Sequence, residues 1–324
     1  MISVSGKQWI EQKVDKNLIE KIKQDHNFNE ILSRLIVSRR FSVKEIYNIN
    51  NNLKITNIFN NNPDFDEASN ILFNSINKKE KICILGDYDV DGTAATSLLI
   101  RYFNHIKQEH FYYIPDRETD GYGATTKLFQ RLILQKPKLV IMVDCGSTSN
   151  DAIHFLIQNN INSIIIDHHE INKPYPQSNV IINPKKNINN KVHDYLCATT
   201  LTYFFIDKMI KKTNSDFNLS NLLIYVLLAT VCDVMPLREL NKIIASNVIK
   251  DFQWEKNFAF KTIYDQLNLK RKFTIDDLGY LIGPIINSGG RLGFSNSGTE
   301  FLTSDDPDII KKNALKLINL NIKK

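Results

Sequence analysis

The chain has 324 residues, of which 43% are hydrophobic and 23% charged. That is an ordinary globular composition; it excludes a wholly disordered or fibrous protein and suits two domains or one large α/β domain with appendages. Lysine and arginine outnumber aspartate and glutamate 41 to 35, a net charge of +6 with a pI near 8.9, which permits an anionic partner such as nucleic acid without demanding one.

The N-terminus lacks a signal-peptide core. The most apolar stretches, 161–166 and 222–234, are too short to span a bilayer and contain or abut Asp. The four cysteines, Cys83, Cys145, Cys197 and Cys232, stand singly, most of them in or beside apolar runs. They read as buried thiols in a reduced, cytoplasmic protein without a membrane segment.

In chain order, 1–47 is helical, with Leu18, Ile22, Ile31, Leu32, Leu35 and Ile36 at helical spacing. The Asn-rich stretch that follows, to about Pro63, reads as a linker or loose loop. Beyond it, strands at 81–86, 111–114, 138–143 and 163–166 alternate with helices at 68–76, 93–106, 125–135 and 150–158. Continuous apolar strands separated by helices predict an α/β fold, a parallel sheet flanked by helices. After Pro184 the chain turns helical, clearest at 195–210, 222–232 and 242–251. The expected division is an N-terminal extension and linker at 1–64, a main domain at 65–300, and the start of a further helix at 301–324.

In open parallel sheets ligands gather where strands end, and those positions are acidic here. The first strand runs into Asp87, Asp89 and Asp91 in Gly-Asp-Tyr-Asp-Val-Asp-Gly, the third into Asp144, the fourth into Asp167, His168 and His169, and an apolar helix ends at Asp233. One Asp after a strand is an ordinary helix cap; three strands that each run into Asp, one followed by two histidines, call for a neutralising divalent cation. Oxygen donors with one or two imidazoles suit Mn²⁺ or Mg²⁺ better than zinc. A calcium loop is excluded, because a strand precedes the motif and Leu98 stands where the loop's Glu belongs. Several carboxylates in one site imply two ions, and the reaction class is hydrolysis of a phosphoester or phosphoanhydride. No GxxxxGK[ST] sequence occurs, which excludes a P-loop NTPase.

On these residues the chain resembles the DHH phosphoesterase superfamily, and within it the RecJ-like single-stranded-DNA-specific exonucleases. Asp167-His168-His169 is the triplet that names the superfamily, and the 86–92 sequence has the form of the nuclease branch. Further matches are Ile-Pro-Asp-Arg-Glu-Thr-Asp-Gly-Tyr-Gly at 114–123, Val-Asp-Cys-Gly at 143–146, Ile-Asn-Pro at 182–184, the 229–237 segment, Gly-Pro-Ile-Ile-Asn-Ser-Gly-Gly-Arg-Leu-Gly at 283–293, and Val-Ser-Gly-Lys-Gln-Trp at the start. They follow the family's order.

The resemblance implies a hydrolase, a 5′→3′ exonuclease that degrades single-stranded DNA in recombination and repair by two-metal activation of water, with Mn²⁺ or Mg²⁺. Carried over by position, it implies Asp87, Asp89, Asp91, Asp144, His168 and Asp233 as metal ligands, with Asp144 the bridge and His169 beside the metals or on a phosphate. Arg291 would contact the DNA phosphate, Gly289 and Gly290 letting the backbone approach it. Arg117, Tyr122 and Gly123 would form a loop beside the site, Tyr122 stacking on a base or packing in its turn.

The chain departs from the family at Ile285, where an Arg is usual, at Cys-Ala-Thr-Thr (197–200), where a glycine-rich turn is usual, and mildly at Ser288. RecJ-like enzymes continue into a DHHA1 domain and an OB-fold. Here Ile310, Ala314, Leu317 and Ile318 have helical spacing and resemble the beginning of the connecting helix, an exposed apolar one. The alternative functions are therefore a truncated or degenerate relative that binds DNA or a protein partner without processive turnover, or an enzyme of short oligonucleotides. A protein partner could replace the missing domains.

Overall fold

The computed structural model describes residues 4–8, 10, 12–50, 53–116, 119–121, 123–186 and 192–323. Trp9 of the N-terminal motif lies outside them. The chain divides into two compact units, Met1–Lys54 and Ile55–Lys324.

The first unit holds helices α1 (Lys16–His26), α2 (Glu30–Ser38) and α3 (Val43–Asn50). Asp15 caps α1 by accepting from the backbone N–H groups of Asn17 and Leu18, and Asn29 caps α2 through Leu32. Ile22, Phe28, Ile36 and Ile46 form its small core.

The second unit begins earlier than the composition suggests. Asn57 donates from its side-chain amide to the Phe204 carbonyl at 2.9 Å and to Asp207 at 2.8 Å. Phe59 stacks on Phe65 with ring centroids 4.3 Å apart. From Ile55 onward the Asn-rich segment is thus packed structure rather than linker. Helix α4 (Pro63–Asn77) follows, capped by Asn62 with Pro at its first turn.

The sheet comprises β1 (Ile82–Gly86), β2 (His110–Tyr113), β3 (Leu139–Val143), β4 (Asn162–Ile166) and β5 (Val180–Ile182), linked by α5 (Val90–His105), α6 (Thr126–Leu132) and α7 (Asn150–Gln158). The strand order is β2-β1-β3-β4-β5 and every pairing is parallel. Alternation sorts the strand side chains: Ile82, Ile84, Ile141 and Ile164 join the larger core with α4 and α5, while Cys83, Leu85, Val140 and Ile165 pack with α6 and α7. Both faces are covered, as the continuous apolar strands require. The edge strand β5 escaped sequence reading because three residues after a polar loop carry no periodicity.

The rest is helical: α8 (Ala198–Thr213), α9 (Leu223–Cys232), α10 (Glu239–Asp251), α11 (Phe258–Gln266), the single turn α12 (Ile275–Asp277), α13 (Gly283–Arg291), α14 (Asn296–Thr303) and α15 (Pro307–Ile322). A π-helical turn, Leu278–Ile282, leads into α13. Ile285, the family's usual Arg, is core. The expected exposed apolar helix at the C-terminus is corrected by the structure: α15 packs on α11, α13 and α14 and buries Ile310, Ala314, Leu317 and Ile318. Cys83, Cys145 and Cys197 are buried free thiols and Cys232 is half-buried. Among the described residues no helix is long and apolar enough to cross a membrane.

Leu317 has no exposed surface. Leu317→Ala should lower the unfolding free energy by about 3 kcal/mol, measured by urea denaturation; a loss near zero would mean that α15 is not part of the cooperative core.

Candidate metal centre

Register builds the site. Gly86 pairs with Val143, Val143 with Ile166, and Ile166 with Ile182. The residues after these strand ends, Asp87, Asp144, Asp167 and Asn183, therefore stand side by side on one crest. The first acid is followed by a tight return: Asp89 caps α5 by accepting from the Gly92 N–H at 3.0 Å, and a Cβ at Gly92 would fall 2.5 Å from the backbone N and O of Asp87. Only glycine fits there.

Asp91 lies in the first turn of α5 and braces another helix. Its two oxygens accept the N–H groups that open α8, Ala198 at 2.7 Å and Thr199 at 2.8 Å, and the Thr199 hydroxyl donates to the Asp91 carbonyl at 2.9 Å. These amides need no glycine-rich turn: Cys197, in place of one, is extended (φ −82°, ψ 166°). Asp233 is the C-cap of α9, so the acids of the two helical elements meet those of the strands.

His168 sits at the centre. Its Nε2 lies 3.3 Å from Asp144 Oδ1 and 3.5 Å from both Asp91 Oδ2 and Asp233 Oδ2. Among the described residues three groups have donor atoms mutually within 4.8 Å: Asp87 with Asp89 and Asp144; Asp144 with His168 and His169; Asp91 with His168 and Asp233. Asp144 and His168 are each shared by two groups. Asp144 takes a left-handed backbone (φ 60°), a conformation that Asp tolerates better than most residues. Both of its carboxylate oxygens, both ring nitrogens of His168, and Oδ1 of Asp87 are buried without a hydrogen-bond partner. Each such group costs free energy unless something binds it, and the donor set, carboxylate oxygen with imidazole, fits divalent Mn²⁺ or Mg²⁺.

Residues 81–230 match the model of the DHH family, N-terminal domain, a span that contains every residue of the three groups except Asp233. RecJ of Haemophilus influenzae, a single-stranded-DNA-specific exonuclease, is 27% identical over 79% of this chain and 46% of its own. The Bacillus subtilis protein of that name is 22% identical over 98% of this chain and 40% of its own. The crystal structure of Thermus thermophilus RecJ in complex with Mn²⁺ superposes with a TM-score of 0.79 at 18% identity, covering 95% of this chain and 44% of that one. In sequence and in fold the chain is similar to RecJ proteins of the DHH superfamily. It spans a little under half the length of the curated relatives it matches. The Thermus protein has also been solved with Mg²⁺, with a TM-score of 0.68 at 16% identity over 95% of this chain and 41% of that one.

Electrostatics divide the acids of this site. Burial, with the charge of Asp89 next, pushes Asp87 up to about 7. Burial and the charge of Asp91 push Asp233 up to about 6. Burial raises Asp144 well above the carboxylate range, the charges of Asp91 and Asp89 adding to it. Asp167 behaves oppositely. Burial works to raise it, but its bond to the His169 ring at 2.8 Å, the charge of that ring, and the N–H groups of Ser147 (3.0 Å), His168 (2.7 Å) and His169 (3.1 Å) hold it below the usual range. The same bond raises His169 to about 9. Asp167 thus fixes the His169 ring, and Asn183 holds the turn from below by donating to Ser147 Oγ at 2.8 Å and to the His169 carbonyl at 3.0 Å.

The residues singled out as substrate contacts fare differently. Arg117 and Tyr122 lie outside the described residues. Gly123 is buried with φ 70°, and Asp120 beside it ties that loop to Tyr113 and Arg131. Gly289 and Gly290 are buried inside α13, where a Cβ would meet the Phe294 carbonyl at 2.9 Å and the Tyr88 carbonyl at 2.5 Å respectively. At Gly290 the 86–92 turn occupies the space a side chain would need, and at Gly289 the Phe294 backbone and Leu317 do. Arg291 is exposed at the end of α13. The sequence did not reveal the bracing roles of Asp167, Asn183 and Thr199; only the position of Asn183 after an apolar run, like the acids, hinted at one of them.

The raised acids set a pH dependence. Asp87 and Asp233, at about 7 and 6 against an ordinary 3.8, hold protons in the folded state after the unfolded chain has released them, so stability falls as pH rises from about 4 to 7. His169, raised to about 9 from 6.5, adds stability that is full below pH 6.5 and is lost as pH rises through 9. Chelator-treated protein should therefore melt higher at pH 5.5 than at pH 8, and Mn²⁺ should raise the melting temperature more at pH 8, since binding displaces protons. Calorimetry showing the same Mn²⁺ shift at both pH values would count against the cluster as the binding site.

Proposed function

We propose that this chain is a metal-dependent nuclease that hydrolyses phosphodiester bonds of single-stranded DNA from the 5′ end, in recombination and repair, with two Mn²⁺ or Mg²⁺ ions. The observation that carries the reading is the pair of shared residues: Asp144 and His168 each belong to two overlapping donor groups, the arrangement that two neighbouring cations require. The names of the relatives supply the substrate class. When bound, such a cation pair supplies an activated water and neutralises charge on the attacked phosphate.

The chain's own residues do the rest. Asp87, Asp89 and Asp144 offer one cation its oxygens from the strand side. Asp91, His168 and Asp233 offer the other its donors, held by the α8 amides and the end of α9. Asp167 keeps the His169 ring turned and protonated. The half-exposed His169 side chain, 43% accessible, can then face a substrate phosphate as a charged donor. Arg291, exposed next to a turn whose Gly293 lies near Asp116, is placed to meet the phosphate backbone.

The test is Mn²⁺-dependent release of mononucleotides from a long single strand labelled at its 5′ end, with a 3′-labelled control. Release from the 5′ end supports the reading; cleavage of dinucleotides alone would move the substrate to short oligonucleotides, and no metal-dependent cleavage of either would refute it. Asp144→Asn, which keeps the left-handed backbone comfortable, should abolish turnover while the metal-free protein melts no lower than wild type. Arg291→Ala should weaken single-strand binding roughly fivefold, or about 1 kcal/mol, and leave Mn²⁺ affinity unchanged by titration calorimetry; equal loss of both would remove Arg291 from the substrate surface.

A further inference from the structure

Helices of this chain commonly end with a residue in the left-handed conformation. Among the described residues that position falls to Asn27, Asn160, Asn214 and Asn268, and to Lys79, Lys107, Lys136 and Arg40, all unbranched at Cβ. After α9 it falls to Val234, with φ 55°. The turn itself is ordinary: Val234 donates to the Val231 carbonyl at 3.2 Å and Met235 to the Thr230 carbonyl at 3.0 Å. The residue is not. A β-branched side chain in this conformation is strained, and packing does not compensate it, because Val234 is 85% exposed.

The strain lies beside the metal centre. Val234 directly follows Asp233, whose Oδ2 is 3.5 Å from His168 Nε2. Pro236 and Leu237 are exposed on the same turn, while Met235 packs back against the core. A second non-glycine residue of positive φ, Glu239 at 44°, closes the segment. Strained residues that folding does not explain concentrate where a ligand is held, and this exposed apolar residue directly follows a member of a donor group.

We propose that Val234 is a substrate-contacting residue, the apolar surface against which the nucleobase flanking the scissile phosphate packs; this rests on the nuclease reading above. An aliphatic side chain without hydrogen-bonding capacity accepts any base. Apolar wedges of this kind separate stacked bases in other nucleic-acid complexes, and contact with base faces tolerates sequence. The turn then does two things at once: it carries a candidate cation ligand inward and presents the base platform outward.

Two variants test it. Val234→Asn installs the residue that the chain uses at four of its other helix ends, relieving the strain and removing the apolar surface; Val234→Ile keeps both. Each is compared with wild type for melting temperature, Mn²⁺ affinity, and kcat/KM on a single strand and on the same strand with an abasic nucleotide flanking the cleaved bond. Val234→Asn should melt about 2–4 °C higher, bind Mn²⁺ as wild type does, and lose roughly tenfold in kcat/KM on the normal strand, a loss of about 1.4 kcal/mol. On the abasic strand it should match wild type, and Val234→Ile should match wild type throughout. An active wild type equalled by Val234→Asn on the normal strand, or a loss that persists undiminished on the abasic strand, overturns the inference alone. A wild type without metal-dependent cleavage overturns the nuclease reading and this inference with it.

Discussion

Six aspartates, Asp87, Asp89, Asp91, Asp144, Asp167 and Asp233, are gathered with two histidines at one end of a buried sheet, and their mutual repulsion is the constraint that the surrounding structure answers. Burial sharpens the problem, since charge removed from water is stabilised only by what the protein or a bound cation places beside it. The protein solves it unevenly. Both oxygens of Asp91 accept N–H groups from the start of α8, and those of Asp167 accept from the turns after β3 and β4. Asp144 has neither oxygen occupied. Some acids brace the site, and others are left open to it.

The bracing explains why the helical half of the second unit is attached where it is. Helix α8 begins at the carboxylate of Asp91, and α9 ends at Asp233, so a helix N-terminus and a helix C-terminus converge on the same histidine. Gly290 lets α13 close against the carbonyl of Tyr88, inside the acidic turn. Behind α13 lies α15 with its four buried apolar side chains. The path from the C-terminal helix to the acidic turn is continuous packing, which makes that helix part of the support of the site rather than an appendage.

The strained turn at Val234 belongs to the same economy. A site that holds repelling charges in place also tolerates backbone conformations that an unconstrained chain would abandon, and Asp144, with φ 60°, is the second instance on the crest. In both places the left-handed residue sits within one position of, or is itself, a candidate cation ligand. Backbone geometry there is set by where a carboxylate must point.

Much was legible from residues alone. Apolar runs such as 81–86 and 138–143 identify buried parallel strands because both faces must be covered, and an acid after each run identifies the crest because parallel strands end together. The DHH resemblance added the expected partners among those acids only as positions in a line. Chain order settles what is local: which segments are strands, which residues follow them, and which donor types are available. The fold adds what is pairwise: register sets Asp87, Asp144, Asp167 and Asn183 abreast, Asp91 is capped by amides 107 and 108 residues away, Gly290 packs on Tyr88, and α15 is buried. The physical reason is that hydrogen bonds, charge repulsion and close packing act through space, and a chain's order records only which groups are neighbours along it.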